Sequence, residues 1–117
     1  PRLVKDGINL ISVNDSLEGS LPRFTNSRHP RTGIGFSKDS SAIYFITVDG
    51  RQQTSRGMTL LEFADLMIDE GIYQGLNLDG GGSTTMVINN KVVNNPSDKT
   101  GEIKVGNCIM LIKDPKK

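Results

Sequence analysis

Three stretches hold the groups with which this sequence could do chemistry. The first is Asn77-Leu78-Asp79-Gly80-Gly81-Gly82-Ser83-Thr84, three consecutive glycines between an acid and two hydroxyls. Glycine loses more conformational freedom on folding than any other residue, so a triplet marks a place where side chains would obstruct a close approach to the main chain. Neither common phosphate loop fits. A Walker loop needs lysine and then a hydroxyl residue directly after its last glycine, and Ser83-Thr84-Thr85 follows here. A dinucleotide loop opens a helix, whereas Thr, Met, Val and Ile favour a strand. Two readings stay open: a nest of N–H groups for an anion or a sugar, or a glycine-rich bulge or sheet corner in which Asp79 bonds its own loop.

The second stretch, Ser27-Arg28-His29-Pro30-Arg31-Thr32, places two arginines and the only histidine within six residues. Arginine's planar fork suits phosphate or carboxylate, and Pro30 stiffens the backbone that presents Arg31. A solvated basic loop is the competing reading, and His29 by itself is a weak sign of acid–base work. The third, VDGRQQTSRGMTLLE, ends an apolar run on Asp49, which is either a functional carboxylate or the start of an Asp-Gly turn. Arg56 can reach the same anion or stay in solvent. Thr59 and Glu62 have the spacing of a helix capping box, which gives Glu62 a structural task.

These groups must be positioned by a small scaffold. The 117 residues suffice for one domain with a single core. A formal charge of +1 provides no overall field for nucleic acid or an anionic membrane, so neither is expected as a partner. The lone Cys108 cannot form an internal disulfide, and no Cys/His spacing resembles a zinc site. No apolar run approaches the roughly 20 residues needed to span a bilayer.

Along the chain, residues 1–13 read as an opening hairpin about Asp6-Gly7, with Ile8, Leu10 and Ile11 or Val13 available for burial. Residues 14–31 read as a long loop, residues 32–112 as the motif-bearing core and 113–117 as a solvated tail. Within the core, Thr32–Phe36 and Ala42–Val48 form a second hairpin, and Leu60, Phe63, Ala64, Met67 and Ile68 fall on one helical face that stops at Gly71. Strands are then expected at GLNL, TTMVIN and NNKVV, the last two joined by an Asn89-Asn90 turn, and at IKVGNCIMLI. The fold class is α+β: a mostly antiparallel or mixed sheet packed on one principal helix, within a larger domain.

Taken in order, Arg31-Thr32, Asp49-Gly50, RGMTLLEFADLM and LNLDGGGSTTMVINNKVVNNPSD resemble the phosphodiester glycosidase family. The likeness implies hydrolysis of the sugar C1–O bond in glycosyl phosphodiesters, with Asp79 as the leading carboxylate and Asp49 as the second. It implies phosphate and substrate contacts from Arg31, Thr32, Asn77, Gly80, Gly81, Gly82 and Ser83, joined by Thr84 and by Arg28 or Arg56. No metal or cofactor is called for. Family domains are longer, and PRLVKDG resembles a segment from their middle. The chain therefore reads as the C-terminal half, completed by an upstream fragment of the same polypeptide, and an extracytoplasmic location follows from the resemblance alone. The competing class is a non-catalytic module of an envelope protein that binds anionic glycan or phosphate, and a purely structural domain is a third. Convergence of Asp49 and Asp79 near the arginine loop would separate enzyme from binder.

Overall fold

The computed structural model describes residues 1–13 and 26–115. Strands β1 (Arg2–Lys5) and β2 (Ile8–Asn9) meet at Asp6-Gly7, both with positive φ, as a two-residue hairpin requires. The expected second strand stops at Asn9. Its side-chain oxygen accepts from the N–H groups of Ile11 at 2.9 Å and Ser12 at 3.3 Å, and so turns the chain into the short helix α1 (Leu10–Val13). Leu3, Val4 and Ile11 enter the core, while Ile8 stays exposed. Most of the 14–31 loop lies outside the described residues.

Strands β3 (Arg31–Phe36) and β4 (Ile43–Val48) pair without a break from Arg31 opposite Val48 to Phe36 opposite Ile43. Helix α2 (Leu60–Asp69) begins at a complete capping box, Thr59 with Glu62, and ends ahead of Gly71 at φ +98°. Strand β5 (Gln74–Asn77) then inserts between β1 and β3. All pairings in the resulting sheet, β2-β1-β5-β3-β4, are antiparallel.

The α2 face lands on strands stripped of side chains. A Cβ on Gly33 would stand 2.3 Å from the Met67 methyl and 2.8 Å from the Phe63 ring, and one on Gly75 would stand 2.9 Å from the Met67 sulfur. Glycine here brings helix and sheet close enough to bury Leu60, Phe63, Ala64 and Met67 with Leu3, Val4, Ile11 and Ile72; Ile68 is only partly buried.

Beyond β5 lie a 3₁₀ turn (Gly81–Ser83) and a separate ribbon of β6 (Val87–Ile88) and β7 (Lys91–Val92), closed by Asn89 and Asn90 at φ 50° and 65°. The expected TTMVIN strand is thus only two residues long. The expected strand at IKVGNCIMLI does not form: residues 103–112 have no regular structure, and Ile109 to Ile112 are 55–75% exposed. Strand propensity acts only where the segment pairs along a ladder, and among the described residues this one pairs with no strand. The class remains α+β, one antiparallel sheet against one principal helix. No described helix is long and apolar enough to cross a membrane.

Candidate functional site

The site is built around the backbone of residues 29–31, on which three loops converge. His29 exchanges both backbone hydrogen bonds with Met58, at 3.2 and 3.0 Å. Each converging loop presents a glycine. A Cβ on Gly50 would lie 2.7 Å from the Pro30 nitrogen, one on Gly57 2.4 Å from the His29 carbonyl oxygen, and one on Gly80 2.7 Å from the Pro30 carbonyl oxygen. That carbonyl also accepts from the Gly81 N–H at 3.0 Å. What approaches the triglycine is therefore in large part the protein itself: Pro30 at Gly80, the Arg51 guanidinium at Gly81, and Ile103 with Asp98 at Gly82.

Between these loops opens a cleft of about 210 Å³ lined by His29, Pro30, Arg31, Arg51, Asn77, Asp79, Gly80 and Gly81. Arg31 is 1% exposed; its Nε donates to the Met58 carbonyl at 2.8 Å and its Nη2 to the Ser27 carbonyl at 3.0 Å. Burial, and then repulsion from Arg51, pull its pKa down to about 10, so it remains a cation at neutral pH. Arg51 sits at φ +57°, a conformation that costs a side-chain-bearing residue energy, with its guanidinium 3.2 Å from Nδ1 of His29. Two guanidinium groups thus flank the cleft, while the Asp79 side chain is solvent-accessible at its rim. Asn77, 8% exposed, donates to the Leu78 carbonyl, and its buried Oδ1 has no partner among the described residues. A cleft with this lining can hold an anion and place a carboxylate beside it.

Of the residues singled out in the sequence, Arg31, Asn77, Asp79, Gly80 and Gly81 meet in this cleft, with His29. The others stand around it. Thr32 donates its hydroxyl to that of the buried Thr84 at 3.2 Å, tying β3 to the end of the glycine loop. Arg28 pairs with Glu62 at 3.0 Å on the exposed start of α2, and Arg56 is exposed outside the lining. Gly82 and Ser83 continue the 3₁₀ turn. Asp49 is not in the lining. Its carboxylate accepts from Asn94 Nδ2 at 3.0 Å and from the Asn95 N–H at 3.1 Å, holding the 94–95 loop against the end of β4.

Arg51 is the residue that sequence reasoning passed over. The signal was its place in Asp49-Gly50-Arg51: β3 and β4 are hairpin partners, so the loop leaving β4 must lie beside the one entering β3. Besides this cleft, a larger groove of about 370 Å³ runs along β4, with Glu70 as the one charged residue of its lining.

The sequence matches the phosphodiester glycosidase family over residues 1–112. It is 33% identical over 103 residues to N-acetylglucosamine-1-phosphodiester alpha-N-acetylglucosaminidase of Mus musculus, covering 82% of this chain and 20% of that protein. The fold is similar to the zebrafish N-acetylglucosamine-1-phosphodiester alpha-N-acetylglucosaminidase catalytic domain auto-inhibited by its pro-peptide, with TM-score 0.69, 32% identity, and coverage of 83% of this chain and 33% of that one. It is also similar to a protein of Burkholderia pseudomallei K96243 assigned as exported, with TM-score 0.64, 44% identity, and coverage of 68% of this chain and 15% of that one. The chain spans 20% of the length of the mouse relative. The family match takes in both the strands that converge on the cleft and the glycine loop that forms its wall, and the chain belongs to the phosphodiester glycosidase family.

Proposed function

We propose that this chain contributes the anion-holding side of a hydrolase that cleaves the C1–O bond of glycosyl phosphodiesters. The observation that carries the reading is the meeting of Asp79 with Arg31 and Arg51 in one glycine-walled cleft, in a chain of this family. In the reaction, the C1–O bond breaks and its electron pair goes to the phosphate oxygen. The oxygen of water bonds to C1, and the released proton ends on the phosphomonoester. Glycoside cleavage passes through an oxocarbenium-like state. A phosphate leaving group is a weak base already, so it needs charge stabilisation more than protonation, and guanidinium and backbone N–H groups supply that. Asp79 acts on the sugar side, stabilising the developing cation or activating the water. Arg51 is the guanidinium that meets the phosphate, and Arg31, locked beneath it by two carbonyls, fixes the loop and adds positive potential. Asp49 holds the 94–95 loop. The likeness to a Burkholderia pseudomallei protein assigned as exported supports an extracytoplasmic setting.

A second reading, a binding module for anionic glycans or phosphate, is favoured by the hydrogen bonds that keep the Asp49 carboxylate on Asn94 and Asn95, which leave Asp79 as the one carboxylate among the described residues of the cleft. The complete natural polypeptide, incubated with sugar-1-phosphodiesters beginning with N-acetylglucosamine after the name of the mouse relative, separates the two. An enzyme releases free sugar, and Asp79→Asn lowers kcat by about 10²–10⁴-fold with an unchanged melting temperature. A binder releases none from any member of the series, yet loses phosphate affinity in Arg51→Gln. Release undiminished in Asp79→Asn would remove that residue from the mechanism.

A further inference from the structure

Helix α2 covers one face of the sheet, and no described element packs over the opposite face. On it the register sets Leu76, Ile34 and Phe45 in one row and Phe36 with Ile43 in the next. Phe36, Ile43 and Leu76 are 44–46% exposed. Ile34 and Phe45 between them are half-buried, and a sheet must bury its apolar face against another layer. The same region has an open edge. Among the described residues β4 ends the sheet, and four of its successive residues, Tyr44 to Thr47, wall the groove of about 370 Å³ that Leu66, Glu70 and Met86 complete. Native edge strands are protected by charge, proline or a bulge. Ile43-Tyr44-Phe45-Ile46-Thr47-Val48 contains none of these, and its pairing with β3 is regular throughout.

We propose that β4 pairs along its free edge with a further strand, and that the polypeptide carrying this strand covers the Ile34, Phe36, Phe45 and Leu76 face. The occupant is the portion of a phosphodiester glycosidase domain that lies outside these 117 residues. The zebrafish catalytic domain is matched over only 33% of its length by 83% of this chain, so the greater part of that domain's chain has no counterpart here. A second copy does not satisfy both surfaces. Edge-to-edge pairing through β4 would double the bare face, and face-to-face stacking would leave the edge open. A continuous polypeptide that adds a strand and then crosses the sheet meets both needs.

The test is hydrogen exchange on the complete natural polypeptide containing this sequence, which requires no variant to fold. The amides of Tyr44–Thr47 that point away from β3 should exchange at least about 100-fold more slowly than in an open edge strand. Phe45→Lys should then cut soluble yield and melting temperature sharply, while Lys38→Glu in the β3–β4 turn leaves both unchanged. Unprotected outward amides in that polypeptide would overturn the proposal, as would a tolerated Phe45→Lys. Protection that disappears on dilution together with a dimer, followed by light scattering, would assign the edge to a second copy and overturn it equally.

Discussion

At the scale of single residues, the cleft is a contest between backbone and guanidinium for the same space. Gly80 faces a carbonyl oxygen that cannot withdraw, 2.7 Å from where a Cβ would be. Gly80→Ala should therefore separate the glycine loop from Pro30 and cost about 1–3 kcal/mol, read as a lowered melting temperature. Arg51 is the opposite case. Its backbone is held at φ +57°, which glycine adopts freely, so Arg51→Gly should leave stability unchanged or raise it by up to about 1 kcal/mol. The same change removes the guanidinium resting on Gly81 and should weaken binding of inorganic phosphate, measured by calorimetry. Retained affinity would place the anion on Arg31 alone. Strain borne for a side chain that packs on no core suggests a functional demand on that side chain.

At the scale of elements, α2 depends on its first turn as much as on its apolar stripe. The Thr59 N–H, donating to Glu62 at 3.0 Å, and then the nearby Arg28 guanidinium hold the Glu62 carboxyl below its usual pKa. A carboxyl whose folded pKa is depressed adds stability above its unfolded value, and that contribution is lost as pH falls through the folded value. Stability of α2, followed by far-UV circular dichroism on heating, should thus decline as pH drops below the ordinary range of about 4–4.5. Glu62→Gln keeps the reciprocal cap and removes the titration, so this part of the acid sensitivity should vanish. Both side chains of the Arg28–Glu62 pair are well exposed, and the pair itself contributes little.

At the scale of the whole molecule, the part after β5 is attached through few groups. Asn94 is the central one: its Nδ2 donates to Asp49 and to the Thr84 carbonyl, and its Oδ1 accepts from the Met86 N–H at 2.7 Å. One side chain thereby ties the β6–β7 ribbon and the end of the glycine loop to Asp49, the residue that follows β4. Asn94→Ala should raise local opening of residues 84–95, by about 1–3 kcal/mol if all three bonds are lost, with the α2 core unaffected. Limited proteolysis within the ribbon, compared with exchange in α2, distinguishes this from global destabilisation.

Much of the fold was legible because local rules and tertiary needs agree. Both hairpin turns at Asp6-Gly7 and Asn89-Asn90, the α2 stripe, its cap and its glycine stop are where sequence places them, since each is set by neighbours a few residues away. Family membership was likewise legible from the order of motifs. Residues 103–112 show the reverse: their apolar pattern reads as a strand, but a strand exists only with a partner, and none adjoins them among the described residues. The site divided in the same way. Asp79, Arg31 and the triglycine could be named from residue type. Only the packing of three loops on His29 and Pro30 brought Arg51 into the cleft and turned the Asp49 carboxylate toward Asn94. Where a side chain points depends on contacts dozens of residues away, and spacing along the chain does not encode them.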